Sequence, residues 1–126
     1  MSNVISLFGA NIYQQDQLIL ENVDLELAKQ SFAYLIGKTG TGKSSLLKTL
    51  YAEIPLREGK GQVCGYELHG LKRKQIPFLR RKIGIVFQDF QLLTDRNVLE
   101  NLKFVLGATG WKDKKGIEQR ALNCLQ

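Results

Sequence analysis

Between Leu35 and Ser45 the chain reads LIGKTGTGKSS, and few folds can accommodate such a stretch. Three glycines, two lysines and four hydroxyl residues sit behind the apolar run SFAYLIG and ahead of a leucine-patterned segment. A linker has no use for the apolar lead-in, and a core turn has no use for the lysines. The composition suits a backbone that wraps around a polyanion. Glycine tolerates positive φ and lets main-chain N–H groups approach an anion closely. A helix that starts directly afterwards aims the positive end of its dipole at the same point.

Gly37, Gly42, Lys43 and Ser44 satisfy the pattern G-x-x-x-x-G-K-[ST], which marks a phosphate-binding loop when it lies between a strand and a helix. The expected cradle is Gly37, Lys38, Thr39, Gly40, Thr41, Gly42, Lys43, Ser44 and Ser45. Lys43 would bring a mobile cation to the β- and γ-phosphates, and the Ser44 hydroxyl would bind Mg²⁺. Ser45 would add a phosphate hydrogen bond. The bland alternative, a glycine-rich structural turn, leaves Lys43 and Ser44 unexplained.

The chain has 126 residues, enough for one domain with a real core. No apolar run approaches the roughly 18 residues that span a bilayer, and MSNVISLFGA lacks the basic and long apolar regions of a secretory signal. Cys64 and Cys124 lack metal-like spacing. They read as reduced thiols of a cytoplasmic protein, with a single disulfide as the other option. The net charge of +6 gathers in KRK (Lys72 to Lys74), RRK (Arg80 to Lys82) and KDKK (Lys112 to Lys115). Such patches can meet nucleic acid, anionic lipid or an acidic partner, or can be a solvated helical face. Interleaved acids and the lack of an aromatic stacking pattern argue against nucleic acid.

VISLFGANIY and LILENVDLELA read as two strands, with Asn22 or Asp24 as a kink. SFAYLIG and IGIVFQ read as strands buried on both faces of a parallel sheet. GKSSLLKTLYAEI reads as a helix with Leu46, Leu47 and Leu50 on one face, stopped at Ile54-Pro55. REGKGQVCGYEL is a turn and strand, and KQIPFLRRK a basic connection broken at Pro77. Asn97 with Glu100 resembles a capping box opening a helix, and IEQRALNCLQ begins another. The order predicts an α/β fold with a mixed sheet. Its antiparallel region covers about 1–30 and 59–70, its phosphate-loop core about 31–55 and 83–89, and its helical region about 95–126.

IGIVFQD ends in Gln88 and Asp89. Asp89 has the place of a strand-terminal carboxylate that holds Mg²⁺ through water. Gln88 offers an amide oxygen to a metal, with a loop behind it that can report whether metal and γ-phosphate are bound. Both can instead be plain strand-end caps.

IYQQDQLILENVDLELAKQSFAYLIGKTGTGKSSLLKTL together with LRRKIGIVFQDFQLLTDRNVLENL resembles the ATP-binding subunits of ABC systems, the FtsE-like cell-division ATPases in particular. Lipoprotein-releasing and macrolide-export ATPases are near relatives. The resemblance implies an ABC-type P-loop NTPase fold, ATP and Mg²⁺ as cofactors, and ATP hydrolysis coupled to an FtsX-like membrane partner. By position, Tyr13 matches the aromatic that stacks on adenine. Gln88 matches the glutamine that, with Ser44, holds the metal, and Lys43 and Gln88 carry the catalytic roles. Phe90 to Leu102 matches the surface facing the membrane partner, although Leu92-Leu93 can equally be core. The implied location is cytoplasmic, peripheral on the inner face of the membrane.

The later motifs of that family (signature, Walker B aspartate with its glutamate, switch histidine) are not found after Gln88, and His69 reads as a surface loop residue. The expectation is an N-terminal portion that stops before the helical subdomain is complete, binds Mg-nucleotide with little or no turnover, and self-associates through an open sheet edge. A small-molecule P-loop kinase, with Arg80 and Arg81 pressed into a lid, is the alternative from another class. A non-catalytic nucleotide-binding module is a third.

Overall fold

A long antiparallel hairpin organises the first half of the chain. The structure, a computed structural model, describes residues 3–87 and 92–126. The chain divides into two units, Met1–Ile83 and Gly84–Gln126.

In the first unit β1 (Asn3–Gln14) pairs antiparallel with β2 (Gln17–Ala28) across a two-residue turn. On its other edge β1 pairs antiparallel with β3 (Glu58–Val63), and β3 with the short β4 (Tyr66–Glu67), giving the order β2-β1-β3-β4. The hairpin is irregular where the kink was expected. Asn22 takes φ 53°, the Asp24 carboxylate accepts from the Gly9 N–H at 2.7 Å, and the Asn11 side chain accepts from the Asn22 N–H at 2.8 Å. Side chains thus take over ladder bonds that the bulge breaks.

The core lies on one face of this sheet. Leu7, Ile12 and Val63 from the strands meet Leu46 of α1 (Lys43–Leu50) and Leu79 of α2 (Ile76–Arg80). The buried face of α1 is Ser45, Leu46 and Thr49. Leu47, expected on that face, points to solvent. A step of 100° per residue carries it away from Leu46, and the sheet receives the side holding two hydroxyl residues instead. The Thr49 hydroxyl is satisfied by the Ser45 carbonyl at 2.8 Å.

Helix α1 ends four residues earlier than Pro55 suggested. Ala52 sits at φ 66°, its N–H bonds the Thr49 carbonyl at 3.2 Å, and the Glu53 N–H bonds the Lys48 carbonyl at 2.8 Å. These two bonds form a Schellman cap, with alanine in the left-handed place that glycine usually fills. Pro77 was expected to break the basic connection. It lies in the first turn of α2, where its missing N–H costs nothing.

SFAYLIG and IGIVFQ were expected as buried strands. Residues 31–38 lie outside the four-stranded sheet, and Phe32, Tyr34 and Ile36 are largely exposed, Ile36 by 89%. Phe32 and Tyr34 meet edge to face, 5.0 Å between ring centres. Residues 83–87 are likewise outside the sheet, with Val86 exposed. An apolar run becomes a strand only when another backbone satisfies its N–H and C=O groups, and no described strand pairs with either run.

The second unit is a helix pair, α3 (Val98–Ala108) and α4 (Lys114–Leu125). Asn97 caps α3 by accepting from the Glu100 N–H at 2.8 Å. The reciprocal half of the expected box runs to the Asn97 side-chain amide instead, 3.3 Å from the Glu100 carboxylate. Asp113 caps α4, accepting from Lys115 and Gly116. Cys64 and Cys124 are both free thiols. Among the described residues no helix is long and apolar enough to cross a membrane.

Candidate nucleotide-binding site

Residues 37–45 form a loop that closes on the start of α1. The Thr41 N–H and hydroxyl both bond the Lys38 carbonyl, at 3.2 and 2.6 Å, which makes residues 38–41 a tight turn. Gly40 and Gly42 take φ 87° and 100°, the left-handed region that residues with a Cβ avoid. Gly42 is also pressed against β2: a Cβ there would lie 2.8 Å from Ile19 Cγ2 and 2.9 Å from Leu20 Cγ. Sterics and backbone conformation therefore exclude a side chain at that position.

Gly42 is the N-cap of α1, and no side chain caps the helix. The N–H groups of Lys43, Ser44 and Ser45 belong to the first turn, which has no intrahelical acceptors. No acidic residue occupies that turn. The Lys43 ammonium folds back to donate to the Gly37 carbonyl, so it lies across the loop it would serve. Free amides, a dipole end and a nearby cation converge on one short segment, and these groups fit a polyphosphate. The exposed Ser44 hydroxyl stands at the same helix start, as a Mg²⁺ ligand must.

Ser45 behaves differently from its neighbours. Its side chain is buried, and its hydroxyl donates to the Gln14 side-chain oxygen at 3.1 Å. Its expected share in phosphate binding therefore falls to its main-chain N–H. The same bond ties the end of β1 to the first turn of α1, and Tyr13 is the residue before Gln14.

Tyr13 sits at the hairpin tip, paired with Leu18. Its hydroxyl donates to the Glu58 carboxylate, and the Arg57 guanidinium lies over its ring, 5.3 Å from the centre. The bond to Glu58 holds the Tyr13 phenol above the usual tyrosine range, with burial and the Glu58 charge adding to the shift. Arg57 also donates to the Gln15 carbonyl at 2.7 Å and pairs with Asp16 at 3.5 Å.

The structure thus brings Gly37 through Ser45 together and sets the strand end bearing Tyr13 against them. Gln88, the second expected metal ligand, lies outside the described residues, as do Asp89 and Phe90. His69 is exposed, its ring nitrogen 3.1 Å from the Arg57 carbonyl. Gln14, Arg57 and Glu58 were not singled out from the sequence. Their roles depend on which strands pair, and no local pattern announces that.

Residues 20–125 match the family model described as ABC transporter. The chain is 34% identical over 113 residues to the cell division ATP-binding protein FtsE of Streptococcus pneumoniae serotype 2, covering 90% of this chain and 49% of that protein. It is 39% identical over 114 residues to the methionine import ATP-binding protein MetN of Helicobacter hepaticus, covering 90% of this chain and 32% of that one. Among solved structures, the dimeric ATP-binding cassette MJ0796 bound to ADP and Pi superposes with a TM-score of 0.82 at 28% identity, over 96% of this chain and 55% of that one. CbiO1 of Clostridium perfringens, part of the ABC transporter complex cbiONQ, gives 0.83 at 26% identity, over 99% and 50%. The chain spans about half the length of the first of these relatives.

Proposed function

This chain belongs to the ABC transporter family, and we propose that within it residues 37–45 bind the phosphates of Mg-ATP as part of an energy-coupling ATPase that works with a membrane partner. The observation that carries this reading is the loop itself: two left-handed glycines leading into an uncapped helix start, with Lys43 folded over it. The amides of Lys43, Ser44 and Ser45 would bind phosphate oxygens, Lys43 would leave the Gly37 carbonyl for the terminal phosphates, and Tyr13 would position the base. Bound Mg²⁺ would neutralise phosphate charge, with Ser44 and Gln88 as its protein ligands.

The specific reading is FtsE-like, with an FtsX-like membrane subunit. Identity to several proteins named FtsE supports it, and a methionine-import role would follow if MetN is the better guide. Docking of that partner is proposed on the segment from Phe90 to Leu102, where Leu92 and Val98 are exposed. Leu93 is half-buried instead. Such docking would hold the chain at the inner face of the membrane. Association between copies, as in the dimeric MJ0796 cassette, is part of the same proposal.

The 126-residue chain is proposed to bind nucleotide with little or no turnover, because the signature motif and the Walker B aspartate with its glutamate are not found in its sequence. Calorimetric titration with Mg-ATP tests the binding. Wild type is expected to saturate, and Lys43→Ala to bind about tenfold or more weakly, the loss of one charge-assisted contact. Equal affinities would refute the phosphate-loop assignment. Family-like phosphate release by the wild-type chain would refute the low-turnover reading and leave binding intact.

A further inference from the structure

Tyr13 is held from two sides by adjacent residues that lie more than forty positions away in sequence. Glu58 opens β3 and pairs in register with Asn11, two places before Tyr13. That register carries the Glu58 carboxylate to the Tyr13 hydroxyl and the preceding Arg57 to the ring face. Arg57 is anchored by its own bond to the Gln15 carbonyl, so the guanidinium is part of the hairpin tip. The exposed pair with Asp16 adds little to this.

We propose that Arg57 and Glu58 are positioning residues for base recognition, Arg57 occupying one face of the Tyr13 ring and Glu58 fixing its hydroxyl, so that the opposite face meets the purine of a nucleotide whose phosphates lie in the 37–45 loop. This rests on the nucleotide-binding reading above and adds to it two residues and a stacking order: guanidinium, phenol, base. A phenol ring has two faces, and the positive guanidinium takes one of them because the ring's π cloud is negative. A base that stacks on the ordered ring must use the remaining face. Holding the ring before the base arrives removes part of the ordering cost of binding. The Gln14–Ser45 bond ties the strand end that bears Tyr13 to the first turn of α1, beside the 37–45 loop.

The test separates base-dependent from phosphate-dependent binding. ATP and inorganic tripolyphosphate are titrated calorimetrically into the wild-type chain and into Tyr13→Ala, Tyr13→Phe, Arg57→Ala, Arg57→Lys, Glu58→Gln and the Tyr13→Phe, Glu58→Gln double variant. We expect Arg57→Ala to weaken ATP about three- to fivefold, the size of an exposed cation–π contact, while tripolyphosphate affinity stays within twofold. Arg57→Lys recovers part of the loss, and Tyr13→Ala weakens ATP at least as much as Arg57→Ala. Glu58→Gln weakens ATP in wild type but has no further effect in Tyr13→Phe, which lacks the hydroxyl it holds. Equal losses for ATP and tripolyphosphate in Arg57→Ala would overturn the proposal and assign Arg57 a structural or long-range charge role. Unchanged ATP binding in Arg57→Ala or Tyr13→Ala would overturn it as well. A wild-type chain that binds neither ligand would remove the nucleotide reading itself, a different result from selective failure of the Arg57 variants.

Discussion

The Ser45 hydroxyl donates to the Gln14 side-chain oxygen at 3.1 Å, joining two residues 31 positions apart. Ser45 is buried in the first turn of α1, and Gln14 is exposed at the end of β1. The bond fastens the first turn of α1, beside the 37–45 loop, to the hairpin that carries Tyr13. Ser45→Ala is expected to destabilise the chain by about 1 kcal/mol, with a similar cost for Gln14→Ala. In urea unfolding the double variant should cost less than the sum of the singles, because each single change already breaks the same bond. Strict additivity would show that the two side chains act separately.

Gly42→Ala tests the loop backbone. The residue holds φ 100°, and its Cβ would meet Ile19 and Leu20 below 3 Å. Left-handed strain costs on the order of 1–3 kcal/mol, and the clash adds to it. Urea unfolding should show a loss within or above that range, accompanied by weakened Mg-ATP binding. Gly84→Ala, with open space around its Cβ and no positive φ, should leave both quantities near wild type.

The Tyr13 phenol is raised above its ordinary value of 10.0, first by the bond to Glu58. A raised value means that the folded chain favours the protonated phenol. The contribution is complete below pH 10.0 and declines as pH climbs through the folded-state value. Wild type should therefore lose stability relative to Tyr13→Phe as pH rises above about 10. Thermal midpoints of the two chains across pH 8 to 11 measure the difference, and parallel curves would mean that the Glu58 bond does not persist in solution.

Exposed apolar side chains on residues 31–38 imply association. Phe32, Tyr34 and Ile36 face solvent on a segment outside the sheet, a combination that invites pairing with another chain. Light scattering should give an apparent mass that rises with concentration, and Ile36→Asp should shift it toward monomer. A wild-type mass that stays monomeric at high concentration would remove this expectation.

Asn101 organises the segment before α3. Its side chain accepts from the Leu93 N–H at 2.8 Å and donates toward the carbonyls of Leu93, Arg96 and Asn97 at 3.1, 3.2 and 2.9 Å. Asn101→Leu removes the acceptor of the Leu93 N–H, while the Leu93 and Asn97 carbonyls keep the N–H groups of Arg96 and Asn101. Amide exchange at Leu93 should accelerate markedly, while the helix content seen by circular dichroism stays close to wild type. Unchanged exchange at Leu93 would show that the turn holds without Asn101.

Much of the site could be read directly from the order of residues. Gly37 to Ser45 is contiguous, and its expected chemistry depends on positive φ at glycine, free amides at a helix start and a cation two residues after the turn. These are short-range properties. The two strands of the β1–β2 hairpin and the cap at Asn97 are equally local, and their patterns locate them; the cap at Asp113, which starts α4 ahead of IEQRALNCLQ, was not read from the sequence. The end of α1 was less legible, because Ala52 adopts a backbone state that its side chain gives no reason to expect.

Other features depend on partners distant in sequence. SFAYLIG and IGIVFQ have strand composition, yet strand pairing requires another backbone, and the four-stranded sheet does not include them. Leu47 has the hydrophobicity of a core residue, but the packing of α1 on the sheet selected Ser45, Leu46 and Thr49. Arg57 and Glu58 became neighbours of Tyr13 through the β1–β3 register. Local sequence specified the loop's conformation and the donors it offers, since torsional preference and hydrogen-bonding capacity reside in each residue. Which side chains surround that loop was set by long-range strand pairing and burial, which belong to pairs of segments and cannot be read from either segment alone.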